Sequence, residues 1–251
     1  MSDDISHILK SWKGKSGQEI TVRLIGGDDG TPKIQMRIDM GVIQMELDGN
    51  PSGENPEGYD SWLQYCESKR KEYEAGHVDD FYSLSVEDFR KLRHEGVQYY
   101  YRYLSLMELD DFVRVVRDTD RNLRLFAFVK KYAASEMDRW SLDQFRPYVI
   151  MMNTRAKASL LLKEDPKKGI EQSIEMFDYG IGRIINFYNE YGLEEEIENS
   201  VEMSILKALK TEFVSSAPDT LQEKLQKAIT EERFEDAANI RDELKENQKN
   251  E

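Results

Sequence analysis

A single cysteine stands in 251 residues. Cys66 alone excludes an intramolecular disulfide and a multi-cysteine zinc site. It falls in Trp62-Leu63-Gln64-Tyr65-Cys66-Glu67, inside a helical pattern, where a half-buried structural thiol is expected rather than a nucleophile. Histidine is nearly as scarce. His7, His77 and His94 lie far apart and make no H-x-x-H or H-E-x-x-H pair, so neither a metal nor another cofactor is expected. No apolar run approaches the ~20 residues of a membrane span. The opening residues, Met1 to His7, lack the basic and apolar regions of a secretory leader, so a cytoplasmic place away from membranes is expected. Positive charge is in deficit, with 35 Lys and Arg against 49 Asp and Glu and a net charge of −14. Nucleic-acid binding draws on clustered cations, so direct binding of DNA or RNA is not expected and protein partners are favoured. The Gly27-Asp28-Asp29-Gly30 cluster has neither a G-K-[ST] continuation nor EF-hand spacing and reads as a turn. Asp28, Asp29, Asp39, Glu46 and Asp48 have no neighbouring His or Gly-rich cradle, and the chain is not expected to be an enzyme.

Apolar residues make up 39% of the chain, with 13 Tyr, 10 Phe and 10 Met, which is material for a core. The pattern predicts a mainly α protein with a small N-terminal antiparallel β-meander. Residues 1–17 form a lead-in with a short helix. Over 18–48 the period is two: Ile20, Val22 and Leu24, then Ile34, Met36, Ile38 and Met40, then Ile43, Met45 and Leu47 alternate with polar residues. Gly30 and Gly41 are expected to supply left-handed turn positions. Residues 49–213 form a helical body after a Gly- and Pro-rich connector. Ser85-x-x-Asp88 and Ser141-x-x-Gln144 read as helix starts. Gly76 and Gly192 read as stops. Helices are predicted over Val86–Met107, Asp110–Ala134, Leu142–Leu162, Pro166–Tyr191 and Glu194–Phe213. The four in 85–191 resemble two tetratricopeptide-type hairpins in architecture, with spacing longer than that repeat's ~34 residues and without its Trp, Gly and Pro signature.

A linker, 214–219, leads to a tail over 220–251. Thr220-x-x-Glu223 opens a helix whose stripe is Leu221, Leu225, Ala228 and Ile229. In a second segment Phe234, Ala237, Ala238 and Arg241 share one side, with Ile240 and Leu244 beside it. Each segment is too short to be a stable helix alone. Paired alanines let the two approach closely, with Phe234 as the large anchor at the closed end. The run Phe234-Glu235-x-Ala237-Ala238-x-Ile240-Arg241-Asp242-x-Leu244, after Leu221-x3-Leu225-x2-Ala228, resembles the UVR motif of the UvrB and UvrC excision-repair subunits, of Clp-type ATPases and of regulators of a protein-arginine kinase. The resemblance implies a helical hairpin, coiled-coil-like, that binds another protein or a second copy of itself. Its docking surface would take Leu221, Leu225, Phe234, Ala237, Ala238, Ile240, Arg241 and Leu244. The body is loosely similar to bacterial proteins that carry such a motif after an all-helical region, which brings no activity with it. UvrB helicase motifs, UvrC nuclease residues and the kinase regulator's paired cysteines are missing, so repair catalysis and zinc binding do not transfer.

One further constellation lies in the body. Arg114, Arg117, Arg121 and Arg124 fall at i, i+3, i+7 and i+10 on one helix. With Tyr99, Tyr103 and Arg155 they would line a groove for a carboxylate, a phosphate or an extended peptide. The alternative is a solvated face on which Asp110, Asp111, Asp118 and Asp120 pair with those arginines. Three functions are therefore expected, in this order: an adaptor docking through the tail, an accessory factor of nucleotide excision repair, and a receptor for a small anionic ligand or peptide in the Arg/Tyr groove.

Overall fold

A computed structural model describes residues 4–12, 20–77, 80–165, 168–216, 221–231 and 233–247; the side chains of 216, 221–224, 227 and 243–247 lie outside that description. Period-two alternation becomes three antiparallel strands in the order β1 (Thr21–Gly26), β2 (Pro32–Ile38) and β3 (Gly41–Glu46). The register sets Val22 opposite Met36, Leu24 opposite Ile34, Ile34 opposite Met45 and Met36 opposite Ile43, so the alternating apolar residues share one face. Ile34, Met36 and Met45 are buried in the main core. Leu24 on the edge strand β1, Ile38 at the end of β2 and Met40 in the loop after it stay exposed. On the other face Arg23 donates to Gln35 Oε1 (2.9 and 2.7 Å) and Gln35 Nε2 to Gln44 Oε1 (2.8 Å). Gly30 takes the expected positive φ (79°), whereas Gly41 does not, because the two-residue Asp39–Met40 loop turns without a left-handed position. A short helix, α1 (Ser6–Ser11), is tied to the sheet by Arg37 Nη1, which donates to Leu9 O (2.6 Å) and Trp12 O (2.7 Å), while the Arg23 guanidinium stacks 4.1 Å from the Trp12 ring centre.

The rest of the described chain is helical: α2 (Trp62–Gly76), α3 (Val86–Glu108), α4 (Phe112–Tyr132), α5 (Glu136–Asp143), α6 (Arg146–Glu164), α7 (Lys168–Glu190), α8 (Val201–Ser216), α9 (Leu221–Thr230) and α10 (Phe234–Asn247). Side-chain caps that satisfy orphan amides set several of these starts. Ser61, Ser85, Asp111 and Ser135 accept from the backbone amides of Gln64 (3.1 Å), Asp88 (3.1 Å), Arg114 (3.2 Å) and Asp138 (3.0 Å). Ser141 is not a helix start. It sits inside α5 and its hydroxyl donates to Asp138 O (2.8 Å). The chain breaks after it, and α6 begins with Pro147 in its first turn, where a missing amide costs nothing. The helix expected over Glu194–Phe213 likewise divides into a 3₁₀ turn (Glu194–Asn199) and α8.

The core runs through α3, α4, α6, α7 and α8, with Leu92, Leu106, Val115, Leu125, Ile150, Ala156, Phe177, Ile184 and Leu206 among its buried members. Helices α6 and α7 pack closely because α7 offers glycine. A Cβ on Gly180 would stand 2.4 Å from Thr154 Oγ1, and one on Gly169 would stand 2.4 Å from Leu161 O. Helices α9 and α10 pack on each other as a hairpin.

Candidate functional site

The tail hairpin is closed by backbone and charge. The Arg233 amide donates to Ala228 O (2.8 Å) at the end of α9, and Arg233 O accepts from the Ala237 amide (3.0 Å) in the first turn of α10. Arg233 also pairs with Glu231 (2.8 Å) and Asp236 (2.8 Å), clamping the turn. The seam between the helices is made by small residues. Ala228 is 0% exposed and Ala237 is buried, with Leu225, Ala238 and Ile240 half-buried beside them. Neither buried alanine belongs to the main core.

Phe234, the first residue of α10, stands at the closed end but does not fill it: it is 68% exposed, with Ile229 also exposed. Alanines seal the seam because only small side chains fit where two helix backbones come close, which leaves no room for a phenyl ring. Arg241 points to solvent and meets Asp242 at 3.7 Å. Leu221 and Leu244 have side chains outside the described residues.

The arginine helix resolves differently. Tyr99, Arg117, Arg121 and Arg124 do come together, lining a cleft of about 660 Å³ between α2, α3, α4 and the connector after β3. Tyr103 and Arg155 do not join them. Tyr103 is buried against Tyr100 and lines a separate aromatic cleft of about 610 Å³ with Tyr148 and Phe145. Arg155 lies on α6, where its Nη1 meets Met152 Sδ at 3.8 Å. Burial pushes the Tyr103 phenol far above its ordinary range.

Most of the arginine charge is spent on holding the fold. Arg102 forks onto Asp118 (Nε–Oδ2 2.7 Å, Nη2–Oδ1 2.9 Å) and its Nη1 donates to Glu46 O (3.2 Å) and Gly49 O (2.9 Å). Arg117 donates to Asp118 Oδ1 (2.8 Å), Leu47 O (3.1 Å) and Asp48. Arg114 forks onto Asp48 (2.8 and 2.9 Å) and reaches Asp111 (2.8 Å). Together they clamp residues 46–49, the exit of the meander, onto α3 and α4. The hydrogen bonds from Arg114, then Arg117, hold the Asp48 carboxyl at about 2, well below the usual carboxylate range. Of the aspartates expected to pair along the helix, Asp111 does so. Asp118 is taken mainly by Arg102 of the neighbouring helix, and Asp120 accepts from Asn153 Nδ2 (2.8 Å).

Glu95 is the buried counterpart. Its carboxylate accepts from the Trp62 (2.7 Å) and Leu63 (3.2 Å) amides at the start of α2 and from Arg121. A carboxylate there satisfies orphan amides and complements the positive end of the helix dipole. The Arg121 and Arg102 guanidiniums both lie over the Tyr99 ring, 4.0 and 4.8 Å from its centre. Glu95, Arg102 and Lys71 escaped the pattern reading. One signal was present: Leu92, Glu95, Tyr99, Arg102 and Leu106 fall three and four apart, so two charges sit on the apolar stripe of α3, where an unpaired charge is rarely tolerated.

Residues 219–249 match the family described as the UvrB/uvrC motif, UVR. No curated protein and no solved structure matches the chain. Among the described residues, no helix is long and apolar enough to cross a membrane.

Proposed function

We propose that this chain is a non-enzymatic adaptor of the cytoplasm, whose tail hairpin docks another protein or a second copy of itself. Exposure of Phe234 carries the reading. A phenyl ring 68% exposed, on a hairpin that also exposes Ile229 and whose own seam is filled by alanines, is an apolar group that packing among the described residues has not used. Aromatic anchors of this kind dominate binding energy when a partner supplies the pocket. The match of residues 219–249 to the UVR motif supports the same surface.

Two changes test it in the full-length protein: deletion of residues 220–251, and Phe234→Glu. Both should remove the captured partner in a pull-down, or lower the mass in sedimentation if the partner is a second copy. Phe234→Glu should leave the melting temperature of the body within about a degree, since surface changes rarely exceed about 0.5 kcal/mol. Unchanged capture and unchanged mass in both variants overturns the adaptor. The narrower form of the reading, a partner within excision repair, has only the motif in its favour. Wild-type ultraviolet survival of a strain lacking the gene removes it.

A further inference from the structure

We propose that the cleft between α2 and α4 is a binding site for a small organic oxyanion, a phosphate- or carboxylate-bearing molecule, separate from the hairpin's role. The chain as a whole repels anions, with a net charge of −14. The cleft gathers cations against that background: Lys71, Arg102, Arg117, Arg121 and Arg124 line it, with Asp60, Glu67 and Asp118 in the same lining and Glu95 and Asp48 bonded to Arg121 and Arg117. In a concave, partly desolvated space charge interactions are strengthened, so the cations left under-used there matter most.

Arg102 and Arg117 are committed to Asp118 and to the backbone of residues 46–49, so they are not free donors. The other cations are under-used. Arg124 is 60% exposed along its side chain and has one ion-pair contact among the described residues, to Glu67 at 3.2 Å. Lys71 lines the same cleft and makes no ion pair among the described residues. Arg121 is bonded to Glu95 and Asn122 through its two Nη groups, yet its Nε–H is buried with no hydrogen-bond partner among the described residues. Burial lowers the pKa of Arg121, and the Glu95 carboxylate beside it acts in the opposite direction.

Both helices contribute periodically to the lining. Gln64, Glu67 and Lys71 recur at i, i+3 and i+7 on α2, and Arg117, Arg121 and Arg124 at i, i+4 and i+7 on α4, so each helix turns one face to the cleft. Guanidinium forks and an ammonium suit carboxylate or phosphate oxygens. The volume of about 660 Å³ suits a metabolite-sized molecule rather than a polymer.

Calorimetry and thermal shift on the full-length protein at low salt, with sodium pyrophosphate and with citrate as probes, test the site. Saturable one-site binding of at least one probe is expected, with a rise in melting temperature. Preference for pyrophosphate identifies a phosphate ligand and preference for citrate a carboxylate. Lys71→Ala and Arg124→Ala, which leave the buried clamp untouched, should each weaken binding by about tenfold or more. Their probe-free melting temperatures should match wild type, and Arg124→Lys should recover part of the loss. Absence of heat and of thermal shift at millimolar probe, or binding equally tight in both alanine variants, overturns the proposal.

Discussion

Removing Arg102 should unfasten the meander from the helical body. Its side chain is 1% exposed and that of Asp118 is 0%. Arg102→Met keeps much of the volume and removes every donor. Asp118 then stays buried with Arg117 as its remaining cation, and Glu46 O and Gly49 O lose the Nη1 donor. Breaking a buried pair by deleting one partner costs about 3–5 kcal/mol. Set against a typical total of about 5–15 kcal/mol, that is a large share of stability. In urea the midpoint should fall by about 1–2 M with an unchanged slope. Proteolysis in the 49–58 connector should accelerate, because the clamp on residues 46–49 is what holds its near end. Arg102→Met with Asp118→Leu should be more stable than Arg102→Met alone, since no buried charge is left over. A loss below about 1 kcal/mol in the single variant, or a double variant that simply adds the two losses, refutes the clamp.

Other outcomes follow from particular contacts. Gly180→Ala places a Cβ against the buried Thr154 side chain; overpacking of about 1–3 kcal/mol should exceed the helix-propensity gain of about 1 kcal/mol, and adding Thr154→Ala should restore part of the loss, read from thermal melts. Asp48 has a pKa held at about 2, below its unfolded value of about 3.9, so its stabilising contribution is complete above about pH 4 and disappears as pH falls through about 2. Asp48→Asn should therefore flatten the acid limb of a stability–pH curve in that window, an effect kept small by the exposure of the carboxylate. Burial pushes the Cys66 thiol up to about 12, so the native protein should resist a thiol-reactive disulfide at pH 8 and react fully once unfolded in guanidinium; fast native labelling would place Cys66 outside the core.

Local order was written in the residues themselves. Alternation over 20–47 specified which face of the meander is apolar, because side-chain direction in a strand has a fixed period, and the paired register of Val22 with Met36 and Ile34 with Met45 follows from it. Ser85 announced a helix because a cap needs only the amide three residues on. The tail motif was legible for the same reason: its alanines and Phe234 lie within one short hairpin. What the sequence could not decide was which long-range partner each charge would find. The spacing of Arg117, Arg121 and Arg124 brought them to one side of α4, but their pairing with Asp48, Asp118 of a doubly bridged clamp and Glu95 depended on how α3 and the meander seat against that helix. Tyr99 and Tyr103, one turn apart on α3, went to different places, one to a cationic cleft and one to an aromatic core. Periods and caps act over a few residues, whereas the balance of desolvation and pairing that buries a charge exists only once the helices are packed.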